Sequence, residues 1–460
     1  MQRDWVGQKV LIIGAARQGL ALARFLSARG ALATINDQRG ADQLAGAVAS
    51  LAEIPVRWSI GGHPLELLGD ADLVCVSGGV PLDLPIVAEA LRRGIPLTND
   101  SQIFLEAVEA PVIGITGSAG KTTTTTLVGR MARDFVAQTG RKVFVGGNIG
   151  LPLVEYLDKI GPEDLIVVEY SSFQLELMTV SPHIAAVLNI TPNHLDRHGT
   201  LEAYTAAKAR ILQYQTSDDI ALLNYEDPGS WNLREMVRGR MISFGVHCSQ
   251  DSGACLQGDR LVYSDGRKTF DLLPTDIVRL RGAHNLVNVL AASAIACAAG
   301  IPVESIQAGV RDFGGVEHRL EYVRTWRGAE WYNDSIATTP ERAIAAIQSF
   351  DEPLVLLLGG RDKNLPWEKL GQMVHDRVDH LIVFGEAAEK ILRAVGPRQS
   401  GRTLQSIDHQ PNLQAAVQAA ANVVEPGDIV LLSPGGTSYD EFADFSVRGE
   451  RFREWVKSLS

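Results

Sequence analysis

The feature that most constrains this chain is the junction Val112-Ile113-Gly114-Ile115-Thr116-Gly117-Ser118-Ala119-Gly120-Lys121-Thr122. An apolar run that breaks into two glycines and then Lys-Thr reads as a buried strand, a tight turn and a helix start, with the helix predicted from Thr122 to about Arg133. Glycines let successive backbone N–H groups turn inward, and the helix N-terminus adds positive potential, so the segment is built to cradle phosphate. Gly117, Ser118, Ala119 and Gly120 form the cradle, with Thr123 behind it. Lys121 is expected to bridge the β- and γ-phosphates of a nucleoside triphosphate, and the Thr122 hydroxyl to hold Mg²⁺. The spacing departs from the strict phosphate-loop pattern: Ile115 occupies the first glycine position, and the nearest glycine, Gly114, lies one residue earlier.

Around this junction the chain alternates apolar runs ending in glycine with helical patterns, which predicts parallel, doubly wound α/β sheets. In the first block Lys9–Gly14, Ala31–Ile35 and Asp72–Val76 read as strands, with a helix from Leu20 to Arg29. In the second, Leu165–Val168 and Ala185–Leu188 follow the junction. The polar, turn-rich stretch Ser249–Thr275 reads as a hairpin or loop excursion, and Arg281–Gly300 as a closing helix. In the third, Leu354–Leu358, His380–Phe384 and Ile429–Leu432 repeat the pattern. Three domains follow: 1–109, 110–314 and 315–460.

Composition excludes some functions. With 54 acidic against 43 basic residues, the net charge of −11 argues against a nucleic-acid partner, which needs a basic face. Cys75, Cys248, Cys255 and Cys297 form no CxxC pair, so no disulfide framework and a reducing cytoplasm are expected. Met1–Phe25 lacks the basic-then-apolar order of a signal peptide. Leu286–Val303 is broken by Asn288, Ser293, Gly300 and Pro302, so a buried helix is expected there and no membrane span.

Several polar residues fall where chemistry would be carried. Glu169 ends the strand Leu165–Val168, where an acidic side chain faces the nucleotide crevice and offers Mg²⁺ a hard oxygen. His194 follows another apolar strand in a turn-rich loop, a place equally suited to an ordinary surface histidine. Lys208 lies on a helix and, by pattern alone, reads as a solvated lysine. Gly14-Ala15-Ala16-Arg17-Gln18-Gly19 approximates the dinucleotide fingerprint GxGxxG, with Asp37 near the place of a ribose-binding acid. Ala16 replaces the middle glycine, which hinders close approach to a pyrophosphate. An NAD site is one reading of this block.

The ordered segments GITGSAGKTT, GGNIG (146–150), EYSSFQLE (169–176), NITPNHLDRHGT, YTAAKARI, GAHNLVNVLAA, VEHRLEYV, WYNDSIAT, LLLGGRDK and SPGGTSYDEFADFSVRG resemble the successive motifs of the Mur ligases over the whole chain. SSFQLE resembles the glutamate-adding member. The resemblance implies a Rossmann-like N-terminal domain, a central P-loop ATPase domain and a C-terminal Rossmann-like domain. It implies ATP-dependent addition of glutamate to UDP-N-acetylmuramoyl-L-alanine in peptidoglycan synthesis, by a cytoplasmic monomer that binds no membrane. Lys121, Glu169, His194 and Lys208 are then catalytic. Thr122 and Glu169 hold one Mg²⁺; His194 and a carbamylated Lys208 serve a second. Asn285, Asn288, Arg319 and Asp334 join the ATP site. Arg17, Gln18, Asp37, Arg39, Gly79, Asn148, Ser171 and His194 serve the UDP substrate, so the first block binds UDP rather than NAD. Thr338, Lys363, Ser438 and Phe445 hold glutamate.

The implied chemistry transfers the γ-phosphoryl group to the alanine carboxylate and then lets the glutamate amine displace phosphate from the acyl phosphate. Such an intermediate must be kept from water, so closure about hinges near Val108–Pro111 and Phe313–Val316 is expected. Two positions depart from the family pattern: Ser118-Ala119 replaces Thr-Asn in the loop, and Ile336 stands where the glutamate-adding member has lysine. The second departure leaves open an L-glutamate-adding variant beside the D-glutamate expectation. A folylpolyglutamate-type synthetase shares the loop style but lacks the UDP-like first block and SSFQLE.

Overall fold

The computed structural model describes residues 3–137, 139–248 and 252–460. It contains three sheets. The first is wholly parallel, in the order β3-β2-β1-β4-β5, from β1 (Lys9–Ile13), β2 (Leu32–Asp37), β3 (Val56–Ile60), β4 (Leu73–Val76) and β5 (Leu97–Thr98). The second holds β6 (Val112–Thr116), β7 (Val143–Gly147), β8 (Leu165–Glu169), β9 (Ile184–Val187), β10 (Ile220–Asn224), β11 (Arg240–Phe244), β12 (Gly253–Gln257), β13 (Arg260–Ser264) and β14 (Thr269–Pro274). Its order is β14-β13-β12-β11-β10-β9-β6-β8-β7, parallel from β7 to β12 and antiparallel beyond. The third runs β15-β16-β20-β17-β18-β19, from β15 (Glu321–Trp326), β16 (Ala329–Asn333), β17 (Leu354–Gly359), β18 (His380–Phe384), β19 (Ser406–Gln410) and β20 (Ile429–Gly435), with only the β15–β16 pair antiparallel. The α/β architecture expected from the alternating pattern is therefore present in all three sheets.

The chain forms two compact units. One comprises Met1–Arg279 and Ala283–Asp312 and carries the first two sheets; the other comprises Leu280–Gly282 and Phe313–Ser460 and carries the third.

In the second sheet β6 pairs with β8 on one side and β9 on the other. The chain leaves β6, builds one flank and returns to build the other, so the C-terminal end of β6 is the topological switch point, where α/β sheets bind ligands. Every residue of β6 is buried, as is every residue of β8. Val112, Ile166, Val168, Ala185 and Val187 share one core with Tyr170, Tyr204, Ile211 and Leu212, and each fully buried large aliphatic side chain contributes about 1.5–3 kcal/mol. Rigid burial of the strands fixes where their ends lie.

The helix after the glycine turn, Lys121–Val136, packs against Ala283–Ala298 and Val303–Val310. The last of these approaches so closely that a Cβ on Gly309 would lie 2.9 Å from the Met131 backbone nitrogen. Ala283–Ala298 is the buried helix expected near Leu286–Val303, and among the described residues no helix is long and apolar enough to cross a membrane.

The polar stretch after residue 248 contains the expected hairpin, β12–β13, extended by β14 into a three-stranded meander on the edge of the parallel sheet; its leading residues, 249–251, lie outside the described residues. One expectation is corrected. Cys248 and Cys255 are disulfide-bonded, with Cα atoms 4.9 Å apart, against the expectation of no disulfide framework. The parallel pairing of β11 with β12 brings the two cysteines together, and the linear spacing does not reveal that. Cys75 is free and buried, and Cys297 is free and half-buried.

Gly309→Ala should destabilise the first unit by about 1–3 kcal/mol, because an added methyl must displace helix backbone. A thermal melt would measure it, and an unchanged melting temperature would contradict the close helix packing.

Candidate active site

The glycine turn opens the helix Lys121–Val136 with Gly120 in the left-handed region, φ 80°, as its cap. A Cβ at Gly120 would lie 2.2 Å from Asn288 Oδ1, so the turn and the Asn288 amide are built against each other. Asn288 Nδ2 donates to Asn285 Oδ1 at 3.0 Å, joining the two asparagines expected at the nucleotide.

Two lysines converge on one carbonyl. Lys121 Nζ donates to Gly117 O at 2.8 Å and to Ser118 O at 3.3 Å. Lys208 Nζ donates to the same Gly117 O at 2.8 Å and to Thr116 Oγ1 at 3.3 Å. Lys208 is only 1% exposed, so it is not the solvated helix lysine that pattern alone suggests. Burial drives its pKa well below the ordinary lysine value; the Lys121 ammonium lowers it further, and Glu169 opposes both. Glu169, buried at the end of β8, accepts Asn148 Nδ2 at 2.7 Å on Oε1, while its buried Oε2 has no hydrogen-bond partner. An orphaned, buried carboxylate oxygen beside a phosphate-type turn fits a hard divalent cation, with the Thr122 hydroxyl on the adjoining first helical turn. Among the described residues no three His, Cys, Asp or Glu side chains cluster as a metal site. Lys208 repels a cation as an ammonium and offers no oxygen as a neutral amine, so it fits a second hard ion only as an anionic oxygen derivative.

His194 adopts φ 53°, an uncommon conformation for a residue other than glycine, and caps the short helix Leu195–His198. Its ring meets Phe173 edge-on at 5.1 Å and lies 6.5 Å from the Tyr204 ring. Lys208 Nζ sits 4.8 Å from the centroid of the same Tyr204 ring. Tyr204 thus joins His194, Lys208 and, through Oη to Ser118 Oγ at 3.1 Å, the glycine turn.

Sequence reasoning missed this tyrosine, and it missed Asn189. The Asn189 side chain brackets Ala119, accepting its N–H at 2.8 Å and donating to its carbonyl at 3.1 Å, while Asn189 O accepts Ser118 N at 2.9 Å. Ser118 Oγ also accepts Thr191 N and donates to Thr191 O, both at 3.0 Å. Nothing in the spacing of Asn189 flags it, since its role depends on β9 lying beside β6.

In the first sheet, β1 is again the switch strand. A Cβ at Gly19 would fall 2.0 Å from Gly14 O, which explains that glycine without invoking a dinucleotide. Asp37 accepts Ala15 N at 2.8 Å and pairs with both Arg39 Nε and Nη2, and the guanidinium holds its carboxyl far below the usual range. That carboxylate is engaged on both oxygens. Arg17 opens the helix Arg17–Ala28, and Gln18 Nε2 donates to Gly147 O at 3.0 Å. Arg197 Nη1 donates to Gly79 O at 3.2 Å, and its guanidinium covers Phe173. Ser171 caps the helix Ser172–Leu175 through Gln174.

In the second unit, Arg319 stands between His318 and Leu320, which have φ of 64° and 43°. Burial lifts Asp334 to about 7 despite hydrogen bonds from Ser433 Oγ and Leu320 N. Both residues line one pocket, and none of Thr338, Lys363, Ser438 and Phe445 lines it. Ser438 is buried, Lys363 is exposed, and the Phe445 carbonyl accepts Ser335 Oγ at 2.7 Å. Arg448 is fully buried and donates to Ser335 O, Ser335 Oγ and Gly436 O, a clamp that sequence reasoning also missed.

Three family profiles match the chain in order: the MurD-like N-terminal domain over residues 8–99, the Mur ligase middle domain over 115–296 and the glutamate ligase domain over 318–436. A UDP-N-acetylmuramoylalanine–D-glutamate ligase of Pelotomaculum thermopropionicum is 41% identical over 460 residues, covering 100% of this chain and 99% of its own. That of Symbiobacterium thermophilum is 40% identical over 455 residues, covering 98% of each. The chain belongs to the Mur ligase family.

Mur ligases are ATP-dependent amide-bond-forming ligases, and the solved structures agree on the fold. MurF from Acinetobacter baumannii matches with a TM-score of 0.55 at 17% identity, covering 97% of this chain and 94% of that one. A UDP-N-acetylmuramate–alanine ligase from Thermotoga maritima matches at 0.53 and 18%, covering 98% and 99%. In this Mur ligase, Asn189, just beyond β9, braces the loop through the Ala119 backbone.

Asn189→Ala should raise the KM for ATP about thirtyfold, since two hydrogen bonds of about 1 kcal/mol each hold the loop shape. Steady-state kinetics with ATP varied would measure this; an unchanged KM would remove Asn189 from the site.

Proposed function

We propose that this Mur ligase adds D-glutamate to UDP-N-acetylmuramoyl-L-alanine with hydrolysis of ATP to ADP and phosphate, in peptidoglycan synthesis. The single observation that carries the reading is the convergence of Lys121, Lys208 and the orphaned Glu169 oxygen around the glycine turn at the end of β6. The D-glutamate ligase relatives, aligned from end to end, support the choice of amino acid.

In this reading the turn Gly117, Ser118, Ala119 and Gly120, with Thr123, cradles the phosphates and Lys121 takes the β- and γ-oxygens, while Asn189 holds the Ser118 and Ala119 N–H groups and so fixes the shape of the cradle. Thr122 and Glu169 would hold Mg²⁺, and the bound ion would supply charge cancellation between the triphosphate and the substrate carboxylate. The alanine carboxylate oxygen attacks the γ-phosphorus, ADP leaves, and the glutamate amine then displaces phosphate from the acyl carbon. The protein's work is positioning and charge cancellation. Asn285 and Asn288 adjoin the nucleotide, with Arg319 and Asp334. Arg17, Gln18, Asp37, Arg39, Gly79, Asn148, Ser171 and His194 serve the UDP substrate; Thr338, Lys363, Ser438 and Phe445 serve glutamate.

Lys208 is carbamylated. Burial lowers its pKa and so favours the neutral amine, whose nitrogen attacks CO₂ and loses a proton to solvent; the carbamate oxygen would then join His194 in holding a second Mg²⁺. The domains are 1–109, 110–314 and 315–460, each owning one sheet, hinged near Val108–Pro111 and Phe313–Val316, in a monomeric cytoplasmic enzyme. Ile336, apolar where the family pattern has lysine, keeps an L-glutamate-adding variant as the second reading.

Phosphate release should require UDP-N-acetylmuramoyl-L-alanine, ATP and D-glutamate together. Lys121→Ala should abolish it while leaving the thermal melt nearly in place, and equal or faster release with L-glutamate would overturn the D-specific reading. Protein equilibrated with ¹³C-bicarbonate should show a carbamate carbon resonance that disappears in Lys208→Ala; its absence from wild-type protein would refute carbamylation.

A further inference from the structure

The second unit contains a pocket of about 280 Å³ whose lining includes Arg319, Leu320, Asp334, Ile336, Ala337 and Arg342. Its residues are of three kinds. Asp334 is a buried carboxylate that already accepts one hydrogen bond on each oxygen, from Leu320 N and Ser433 Oγ. Leu320, Ile336 and Ala337 are apolar. Arg319 and Arg342 are exposed guanidiniums.

Neither arginine is an incidental surface residue. The turn bearing Arg319 is held by a buried network: His318 N donates to Glu321 Oε2 at 2.9 Å, Asn333 Nδ2 donates to the same oxygen at 2.9 Å, and Arg453 Nη1 donates to Glu321 Oε1 at 2.8 Å. Left-handed backbone on both sides of Arg319 persists only because such contacts enforce it. Arg342 lies on the first turn of the helix Pro340–Ile347, and its Nη1 donates to Ile336 O at 3.1 Å. That bond folds the side chain back toward the pocket and uses one of the five guanidinium N–H donors. Both arginines act electrostatically on Asp334.

We propose that Arg342 is a second phosphate-binding residue for the nucleotide, acting with Arg319 on the pocket that Asp334 floors. The inference rests on the reading of Arg319 and Asp334 as nucleotide-binding. A ligand carrying both hydroxyls and phosphate matches the pocket's polarity: its hydroxyls can donate to the remaining lone pairs of Asp334, and its phosphate can accept from two guanidiniums. Glutamate matches poorly, because a carboxylate beside Asp334 gains nothing from it and the residues expected to hold glutamate lie elsewhere. Bonds from a guanidinium to a phosphate are charge-assisted on both sides and stronger than neutral ones. Ile336 brings no charge to this pocket, and Arg342 supplies the cation from six residues further along the chain.

The test is steady-state phosphate release by the full chain, with ATP and D-glutamate varied in turn, alongside calorimetric titration with ADP. Arg342→Ala should raise the KM for ATP and the Kd for ADP about tenfold, with kcat within about threefold and the KM for glutamate unchanged. Arg342→Lys should recover part of the loss, and Ile336→Lys placed in Arg342→Ala should recover it from the other side of the pocket. Because Arg342 is exposed, the thermal melt should not move. Unchanged KM for ATP and Kd for ADP in Arg342→Ala overturns the inference, as does a shift confined to the KM for glutamate. If wild-type protein releases no phosphate, the functional reading falls, and the ADP titration alone then supports or overturns Arg342.

Discussion

Everything in the catalytic unit is arranged around one electrostatic imbalance: two lysine side chains donating to the carbonyl of Gly117. Like charges about 4 Å apart repel by about 4 kcal/mol at intermediate dielectric, and burial adds a desolvation cost. The fold relieves this by pushing Lys208 toward its neutral form, with Glu169 as partial counter-charge. On the proposed function, a triphosphate at the turn would supply negative charge for Lys121, and a divalent ion would satisfy the Glu169 oxygen that has no hydrogen-bond partner. The site is thus poised for a reaction that brings a carboxylate against a phosphate.

A poised site must be held rigidly, and much of the unit serves that end. The turn is tied to the segment after β9 by Asn189 and Thr191, to the helix Leu201–Gln213 by Tyr204 through Ser118, and to the long buried helix by Asn288. The helix Lys121–Val136 is wedged in turn against Gly309. Phe173, from the SSFQLE segment, is packed between His194, His198 and Arg197, and Arg197 reaches the carbonyls of Gly79 and Val80 in the first sheet. The motif that marks the glutamate-adding member therefore also braces the loop that carries His194.

What the sequence made legible was local. Gly117–Thr122 announced itself because glycine, lysine and threonine at a strand-to-helix junction have few other uses, and β6 and the following helix lie where periodicity places them, the helix beginning one residue earlier at Lys121. The buried helix Ala283–Ala298 was equally readable from its unbroken small and apolar residues. What stayed hidden depends on residues far apart in the chain. Lys208 looks solvated on its own helix and is buried only because that helix lies over β6. Tyr204 and Asn189 earn their places through sheet order, and the disulfide through the pairing of β11 with β12. The left-handed backbone at His194 and around Arg319 has no composition signature, since neither segment places glycine at the constrained position. Gly19 carried the opposite risk: it completes a dinucleotide-like pattern, but its side of the turn is filled by Gly14 O.

The central claim is that Glu169 Oε2 awaits a divalent cation that arrives with the nucleotide. Its most direct test is calorimetric titration of the protein with ATP, with and without Mg²⁺, in wild-type and Glu169→Gln forms. The account predicts that Mg²⁺ strengthens ATP binding markedly in the wild type and that this gain disappears in Glu169→Gln, whose amide keeps the shape and loses the charge. A Glu169→Gln protein that gains as much from Mg²⁺ as the wild type does would contradict it.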